Sequence, residues 1–246
     1  KLCEFIDCCD AFAGVRLEGI QFHTSWNMNP SAQVAFLSVL GDELKKLSAT
    51  HRNRIKFLDI GGGFWPEQGE WLTPEGTALG RVLKELAPEL LADDRRRFRI
   101  PAVPIEDFAG AITTGLREYV FPYVECGIYA EPGRWLINSG MHILIKVLDV
   151  KDGGNMVITC GGINAVGWER FETDYCPVLN LSSPAPNRQY CELAGSLCTP
   201  HDIWGREFWG KSIAKGDILL IPEQGAYTYS LKQEFIKPLP ACVVTE

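Results

Sequence analysis

Glu131 and Arg134 stand three residues apart, separated by Pro132-Gly133, at the end of the run Gly127-Ile128-Tyr129-Ala130. A short strand that ends in a carboxylate, turns, and then presents a guanidinium aims opposite charges at one place. The same residues also fit a surface turn closed by an ion pair of little energetic consequence. Two other stretches bear on the choice. Gly61-Gly62-Gly63 directly follows the strand-like run Ile55 to Ile60, and consecutive glycines let backbone N–H groups approach an anion such as phosphate. A tight turn is the alternative there, since the stretch is neither a Walker loop nor Gly-x-Gly-x-x-Gly. His23 closes a third strand-like stretch that begins at Val15. In a parallel α/β barrel the C-terminal strand ends share one face, so these groups would converge.

An aromatic cofactor with a phosphate and a ring nitrogen uses such groups together. The phosphate would sit on the glycines, His23 would stack on the ring, and Glu131 would hold the ring nitrogen protonated, because a nearby opposite charge favours the charged form. Pyridoxal 5'-phosphate in that state is a strong electron sink.

The elements that must position these residues are legible as alternating strands and helices. The chain opens inside a helix with Leu2, Phe5, Ile6 and Cys9 on one face. After the strand Val15 to His23, Asn29-Pro30 caps a helix whose stripe is Val34, Leu37, Leu40, Leu44 and Leu47. Ile55 to Ile60 is followed by a helix with Leu79, Val82, Leu83 and Leu86; Pro104 opens another with Ile105, Phe108, Ile112, Leu116 and Tyr119, and Ile128 to Glu131 is the next strand. This alternation implies a parallel sheet flanked by helices. Beyond about Asn138 the pattern changes: Met141 to Val150 and Asn155 to Thr159 read as strands joined by the turn Asp152-Gly153-Gly154. Further strands are expected at Gln189 to Ala194, Ile218 to Ile221 and Cys242 to Thr245. The expected division is an α/β domain over residues 1–140 and a mostly antiparallel β domain over 141–246.

Composition narrows the class. The 246 residues are 46% hydrophobic and carry a net charge of −7, enough for a sizeable core and contrary to a nucleic-acid footprint. The basic group Arg95-Arg96-Arg97 with Arg99 reads as a solvated loop. No run reaches the roughly 18 apolar residues of a membrane span, and no signal peptide is recognisable, so a cytoplasmic location is the default. The nine cysteines are odd in number and include no Cys-x-x-Cys pair. Neither a metal site nor a disulfide framework is expected, and most cysteines read as small buried hydrophobes.

Phe22-His23, Leu58-Asp59-Ile60-Gly61-Gly62-Gly63-Phe64, Ala130-Glu131-Pro132-Gly133-Arg134, Gly195-Ser196-Leu197-Cys198-Thr199-Pro200-His201-Asp202 and Gly216-Asp217 to Gly225-Ala226-Tyr227-Thr228 occur in the order seen in one family. From about residue 15 onward the chain resembles the fold-type III pyridoxal-phosphate decarboxylases of the ornithine, diaminopimelate and arginine decarboxylase group. The resemblance implies part of an alanine-racemase-like (β/α)8 barrel followed by a C-terminal β domain. It implies that His23 stacks on the cofactor, that Gly61 to Gly63, Gly133, Arg134 and Tyr227 hold its phosphate, and that Glu131 pairs with the ring nitrogen. It also implies that Cys198 donates a proton after decarboxylation, reaching the site from the partner subunit of a homodimer together with Asp202.

Several departures accompany the resemblance. The family's His-x-Gly-Ser is His23-Thr24-Ser25-Trp26 here, so Ser25 stands one position before the usual phosphate-binding serine. Thr199 replaces the acid that reads a distal amine, leaving Asp174 and Asp202 as candidate substrate readers and favouring a larger or acylated amino acid over plain ornithine or lysine. Cys160-Gly161-Gly162 stands where Asp-Gly-Gly is common. The family's Schiff-base lysine has no counterpart, and three strand–helix units are too few to close a barrel. The chain is therefore expected to be the C-terminal part of a longer protein, lacking roughly the first four or five barrel units. A racemase of the same fold and a catalytically inactive regulatory partner are the alternatives.

Overall fold

The computed structural model describes residues 2–91, 94–167 and 175–245. Along the chain the strands are β1 (Gly19–Gln21), β2 (Phe57–Asp59), β3 (Glu70–Leu72), β4 (Phe98–Ile100), β5 (Gly127–Tyr129), β6 (Ile143–Lys151), β7 (Met156–Thr159), β8 (Leu179–Asn180), β9 (Arg188–Ala194), β10 (Ile203–Trp209) and β11 (Ile218–Ile221). The α-helices are α1 (Leu2–Asp10), α2 (Ser31–Lys46), α3 (Ala49–Arg52), α4 (Ala78–Leu86), α5 (Ile105–Gly115), α6 (Gly133–Ile137) and α7 (Ile163–Val166). The chain divides into two compact units, residues 1–70 with 100–136 and residues 71–99 with 137–246.

In the first unit β1, β2 and β5 form a parallel sheet in that order. The connections are right for the sequence: α2 links β1 to β2, and α5 precedes β5. Leu37, Leu40, Leu44 and Leu47 from α2 and the following residue, with Phe108, Ile112 and Leu116, bury against Leu58 and Ile60 of the β2 segment. The α5 stripe continues beyond Gly115 through one π-helical turn, Leu116–Val120. Gly41 is required here, since a Cβ would lie 2.6 Å from the Tyr119 carbonyl oxygen. Pro30 precedes the first turn of α2, and the Asn29 side chain accepts from Ser31 N at 3.0 Å.

The second unit is built on a closed barrel of strand order β10-β8-β11-β6-β7-β9. Most neighbours are antiparallel, with β10–β8 and β7–β9 parallel. Its core contains Ile145, Val147, Val157, Leu193, Trp204, Phe208, Leu219 and Ile221. The β6–β7 turn at Asp152-Gly153-Gly154 has positive φ at all three residues, 51°, 63° and 103°, which glycine accommodates at the second and third.

Four sequence expectations are corrected. Residues 71–99, placed with the α/β domain, group with the second unit, and α4 leaves Leu79, Val82 and Leu86 exposed where a sheet-packed stripe was expected. Within the basic group Arg95, Arg96 and Arg99 are exposed, but Arg97 is not solvated: its Nη2 bonds Glu207 Oε2 at 2.9 Å with the side chains 12% and 1% exposed, and its guanidinium lies over the Tyr175 ring. Cys242 to Thr245 is not a strand, whereas Ile203–Trp209 is. Only Cys191 among the nine cysteines is fully buried, its thiol pushed up to about 12, chiefly by burial.

Removing Arg97 takes the short charge-assisted bond from buried Glu207 and leaves it the more distant Arg188 guanidinium, with Nη1 at 3.9 Å. Arg97→Ala should therefore destabilise the second unit by about 1.5–3 kcal/mol, read as a lowered urea midpoint.

Candidate active site

The in-register pairing of the three parallel strands determines what stands at their C-terminal edge. Gln21 pairs with Asp59, and Asp59 with Tyr129. Two residues beyond each lie His23, Gly61 and Glu131. Backbone bonds carry the pairing past the strand ends: Phe22 N to Asp59 O at 3.0 Å, Ile60 N to Tyr129 O at 2.9 Å, and Glu131 N to Gly61 O at 2.8 Å. The imidazole and carboxylate consequently meet, His23 Nδ1 lying 3.7 Å from Glu131 Oε2, with each side chain about half exposed (45% and 52%). His23 Nε2 is 3.2 Å from Ser25 Oγ, so the serine at the altered position shares this cluster.

The glycines are needed by backbone crowding. A Cβ on Gly61 would lie 2.3 Å from Phe22 O, on Gly62 2.4 Å from Glu131 O, and on Gly63 1.9 Å from Thr24 O; Gly61 and Gly63 also have positive φ. Two of their N–H groups are used within the unit: Gly61 N donates to Asp59 Oδ1 at 2.9 Å and Gly62 N to His23 Nδ1 at 3.2 Å. Among the described residues the Gly63 N–H has no protein partner. The run therefore offers an anion one amide rather than a full nest.

Arg134, on α6 just after Gly133, places its guanidinium 4.3 Å from the centre of the Trp65 ring. Trp26 stands 6.1 Å from Trp65, ring to ring, with φ at 54°, a backbone state that costs a bulky residue energy and persists only under surrounding constraint. Asn27 supplies that constraint. Its N and O bond Gly63 O and Trp65 N at 3.1 and 3.3 Å, and its buried side chain donates to Thr24 O and Oγ1. Sequence reasoning missed Trp65 and Asn27; two tryptophans flanking the histidine and glycine motifs were the available signal.

In the second unit the segment from Gly195 to Asp202 is a stapled loop. Gly195 N donates to Asp202 O at 2.7 Å, and the Asp202 carboxylate accepts from Ile163 N at 2.9 Å and Leu197 N at 2.8 Å. Asp202 is 2% exposed. This corrects its assignment as a substrate reader, because both oxygens are occupied within its own unit. Cβ atoms at Gly162 and Gly195 would lie 1.9 and 2.1 Å from those oxygens, which explains both glycines. The loop exposes Cys198; Thr199 Oγ1 accepts from His201 N at 3.3 Å. Cys160 Sγ accepts from Lys146 N at 3.3 Å, giving the residue at the altered Asp-Gly-Gly position a backbone partner. Tyr227 is about half exposed and has φ at 55°. Asp174 lies outside the described residues.

Comparison with known proteins places the chain. A family described as pyridoxal-dependent decarboxylase, C-terminal sheet domain, matches residues 25–225. The chain belongs to this family. Membership implies pyridoxal phosphate as cofactor. A 2-[(L-alanin-3-ylcarbamoyl)methyl]-2-hydroxybutanedioate decarboxylase of Staphylococcus aureus is 24% identical over 243 residues, covering 93% of this chain and 52% of that protein. A diaminopimelate decarboxylase of Methanothermobacter thermautotrophicus is 25% identical over 235 residues, covering 92% and 48%. The chain spans about half the length of these curated relatives. Lysine decarboxylase of Selenomonas ruminantium shares the fold, with a TM-score of 0.68 at 21% identity over 94% of this chain and 52% of that one. Paramecium bursaria Chlorella virus arginine decarboxylase bound to agmatine gives 0.66 at 18% over 95% and 56%.

The residues present fit the cofactor this decarboxylase family implies. A half-exposed carboxylate and imidazole stand side by side at the strand ends, with one unspent glycine amide nearby and a cation held on an indole. Asp202 instead fixes the loop that bears Cys198. Asp202→Ala would take the acceptor from two part-buried backbone N–H groups and should cost about 1–3 kcal/mol; a thermal melt with limited proteolysis around residues 195–202 reads this out.

Proposed function

We propose that this chain supplies part of a pyridoxal-phosphate-dependent amino-acid decarboxylase, a soluble cytoplasmic homodimer. The observation that carries the reading is the strand register that sets His23, Gly61 and Glu131 at one edge, with 3.7 Å between imidazole and carboxylate. In this reading the first unit is the C-terminal portion of a (β/α)8 barrel, and the domain division falls near residue 140, with residues 71–99 attached to the sheet domain.

Bound pyridoxal phosphate supplies an electron sink for the substrate carbon that loses its carboxylate. Glu131 keeps the ring nitrogen protonated through its negative charge. His23 packs on the ring face, and its contact with Ser25 orients it. Arg134, Gly63 N–H, Ser25, Gly133 and Tyr227 bind the phosphate. Arg134 is the principal charge among them, and the Trp65 ring limits its rotamers. Cys198 Sγ, contributed by the partner subunit, delivers the proton that replaces carbon dioxide on the substrate carbon. Asp202 acts by positioning Cys198.

The substrate class follows from the loop. Thr199 offers no charge to a distal ammonium, so we assign an amino acid whose side-chain amine is acylated or replaced by a larger neutral or anionic group. The name of the Staphylococcus aureus relative's substrate describes an L-alanin-3-yl group carried as an amide, which supports this choice.

Scanning amino acids for carbon dioxide release with the full-length protein tests the function. Release from an acylated diamino acid and none from ornithine is expected; ornithine turnover in the unchanged protein contradicts the substrate assignment, and Thr199→Glu should gain activity on diamine-type substrates. Glu131→Ala should lower the decarboxylation rate by about a hundredfold or more with little change in cofactor affinity. Arg134→Ala should instead weaken cofactor binding by about tenfold to a hundredfold, and Trp65→Ala by a few-fold to about tenfold. Equal behaviour of the Glu131 and Arg134 variants contradicts the division of roles.

A further inference from the structure

Helix α1 carries Cys3 and Asp7 one turn apart, so both side chains leave the same face. His51 meets them from α3, a short helix capped by Ser48, whose Oγ accepts from His51 N at 3.2 Å. Cys3 Sγ lies 3.6 Å from His51 Nδ1 and 3.7 Å from Asp7 Oδ2, and His51 Nε2 lies 3.0 Å from Asp7 Oδ1. The platform is anchored. Cys3 packs against the core of the first unit, and the His51 side chain is 15% exposed, while Asp7, at 60%, opens the cluster to solvent.

We propose that Cys3, Asp7 and His51 form a binding site for one divalent transition-metal ion of the zinc type, with the fourth coordination position open to water. Tetrahedral zinc, with bonds of about 2.3 Å to sulfur and about 2.0–2.1 Å to nitrogen and oxygen, sets ligand–ligand edges of roughly 3.5 Å. The two sulfur edges, 3.6 and 3.7 Å, already approach that value. A thiolate with an imidazole and a carboxylate selects zinc or cobalt over magnesium and calcium, which take oxygen ligands. An ion pair between His51 and Asp7 needs no third group, yet the thiol sits within 4 Å of both. Among the described residues this is the one group of three His, Cys, Asp or Glu side chains close enough to hold a metal. Its ligands are split by 48 positions between Cys3 and His51, which is why no Cys-x-x-Cys spacing announced it. On binding, Cys3 gives up its proton, His51 contributes the Nδ1 lone pair as its Nε2–H tautomer, and Asp7 contributes a carboxylate oxygen.

Cobalt(II) is the probe, titrated into the full-length protein and read as a difference spectrum. Wild type should develop tetrahedral d–d bands and a near-ultraviolet thiolate-to-cobalt charge-transfer band that saturate at about one equivalent per chain, and zinc should abolish both. Cys3→Ser should lose the charge-transfer band, His51→Gln should weaken cobalt binding at least about tenfold, and Cys8→Ser, an exposed cysteine on the same helix, should change neither. Circular dichroism checks that the variants are folded. Absence of the bands in wild type, or bands that persist unchanged in Cys3→Ser, overturns the site. Because the readout is independent of pyridoxal phosphate, failure here leaves the decarboxylase reading standing.

Discussion

The parallel register of β1, β2 and β5 is the constraint on which the candidate active site depends. Gln21, Asp59 and Tyr129 share one level of the sheet, and the backbone bonds beyond them leave little freedom to the residues that follow. The edge is so crowded that Phe22 O, Glu131 O and Thr24 O occupy the space where side chains of residues 61, 62 and 63 would begin. Any side chain there pushes the strand ends apart and separates His23 from Glu131. The glycines thus matter first as the condition for bringing an imidazole and a carboxylate together, and only then as an anion contact. Shifting any one strand by a single residue would turn its functional side chain to the opposite face.

The second unit solves a different problem. Its loop from Gly195 to Asp202 leaves Cys198 exposed and is fastened by a buried carboxylate that accepts two backbone N–H groups from separate segments. Charge-assisted bonds of this kind are stronger than neutral ones, and the glycines at 162 and 195 exist to let the carboxylate in. The same unit holds residues 71–99 through the Arg97–Glu207 pair and the contact of the Trp71 and Tyr175 rings. Both interactions join positions far apart in sequence.

That distance explains what was and was not legible in the sequence. The three strands that lead to His23, Gly61 and Glu131, and the α2 and α5 stripes, are local patterns of apolar spacing and were readable. The change to a β unit near Asn138 was equally readable. Strand β10 was missed because Arg206 and Glu207 interrupt its apolar character, and only the structure shows that Glu207 is buried against an arginine 110 positions away. Helix α4 was read correctly as a helix but assigned to the wrong neighbour, since an apolar stripe does not specify what it faces. Asp202 was a candidate substrate reader because Thr199 replaces the acid expected to read a distal amine, and its burial could not be inferred from that substitution. Trp26 and Trp65 were visible, but their alignment with Arg134 needed the pairing of Asn27 with Gly63 and Trp65.

The central claim is that Glu131, delivered by the strand register, faces the ring nitrogen of the cofactor. Nitrogen-15 magnetic resonance of the full-length protein loaded with ring-labelled pyridoxal phosphate measures this directly. The account predicts a protonated ring nitrogen at neutral pH in wild type and a shift to the neutral form in Glu131→Gln. A ring nitrogen in the same protonation state in both proteins would contradict it.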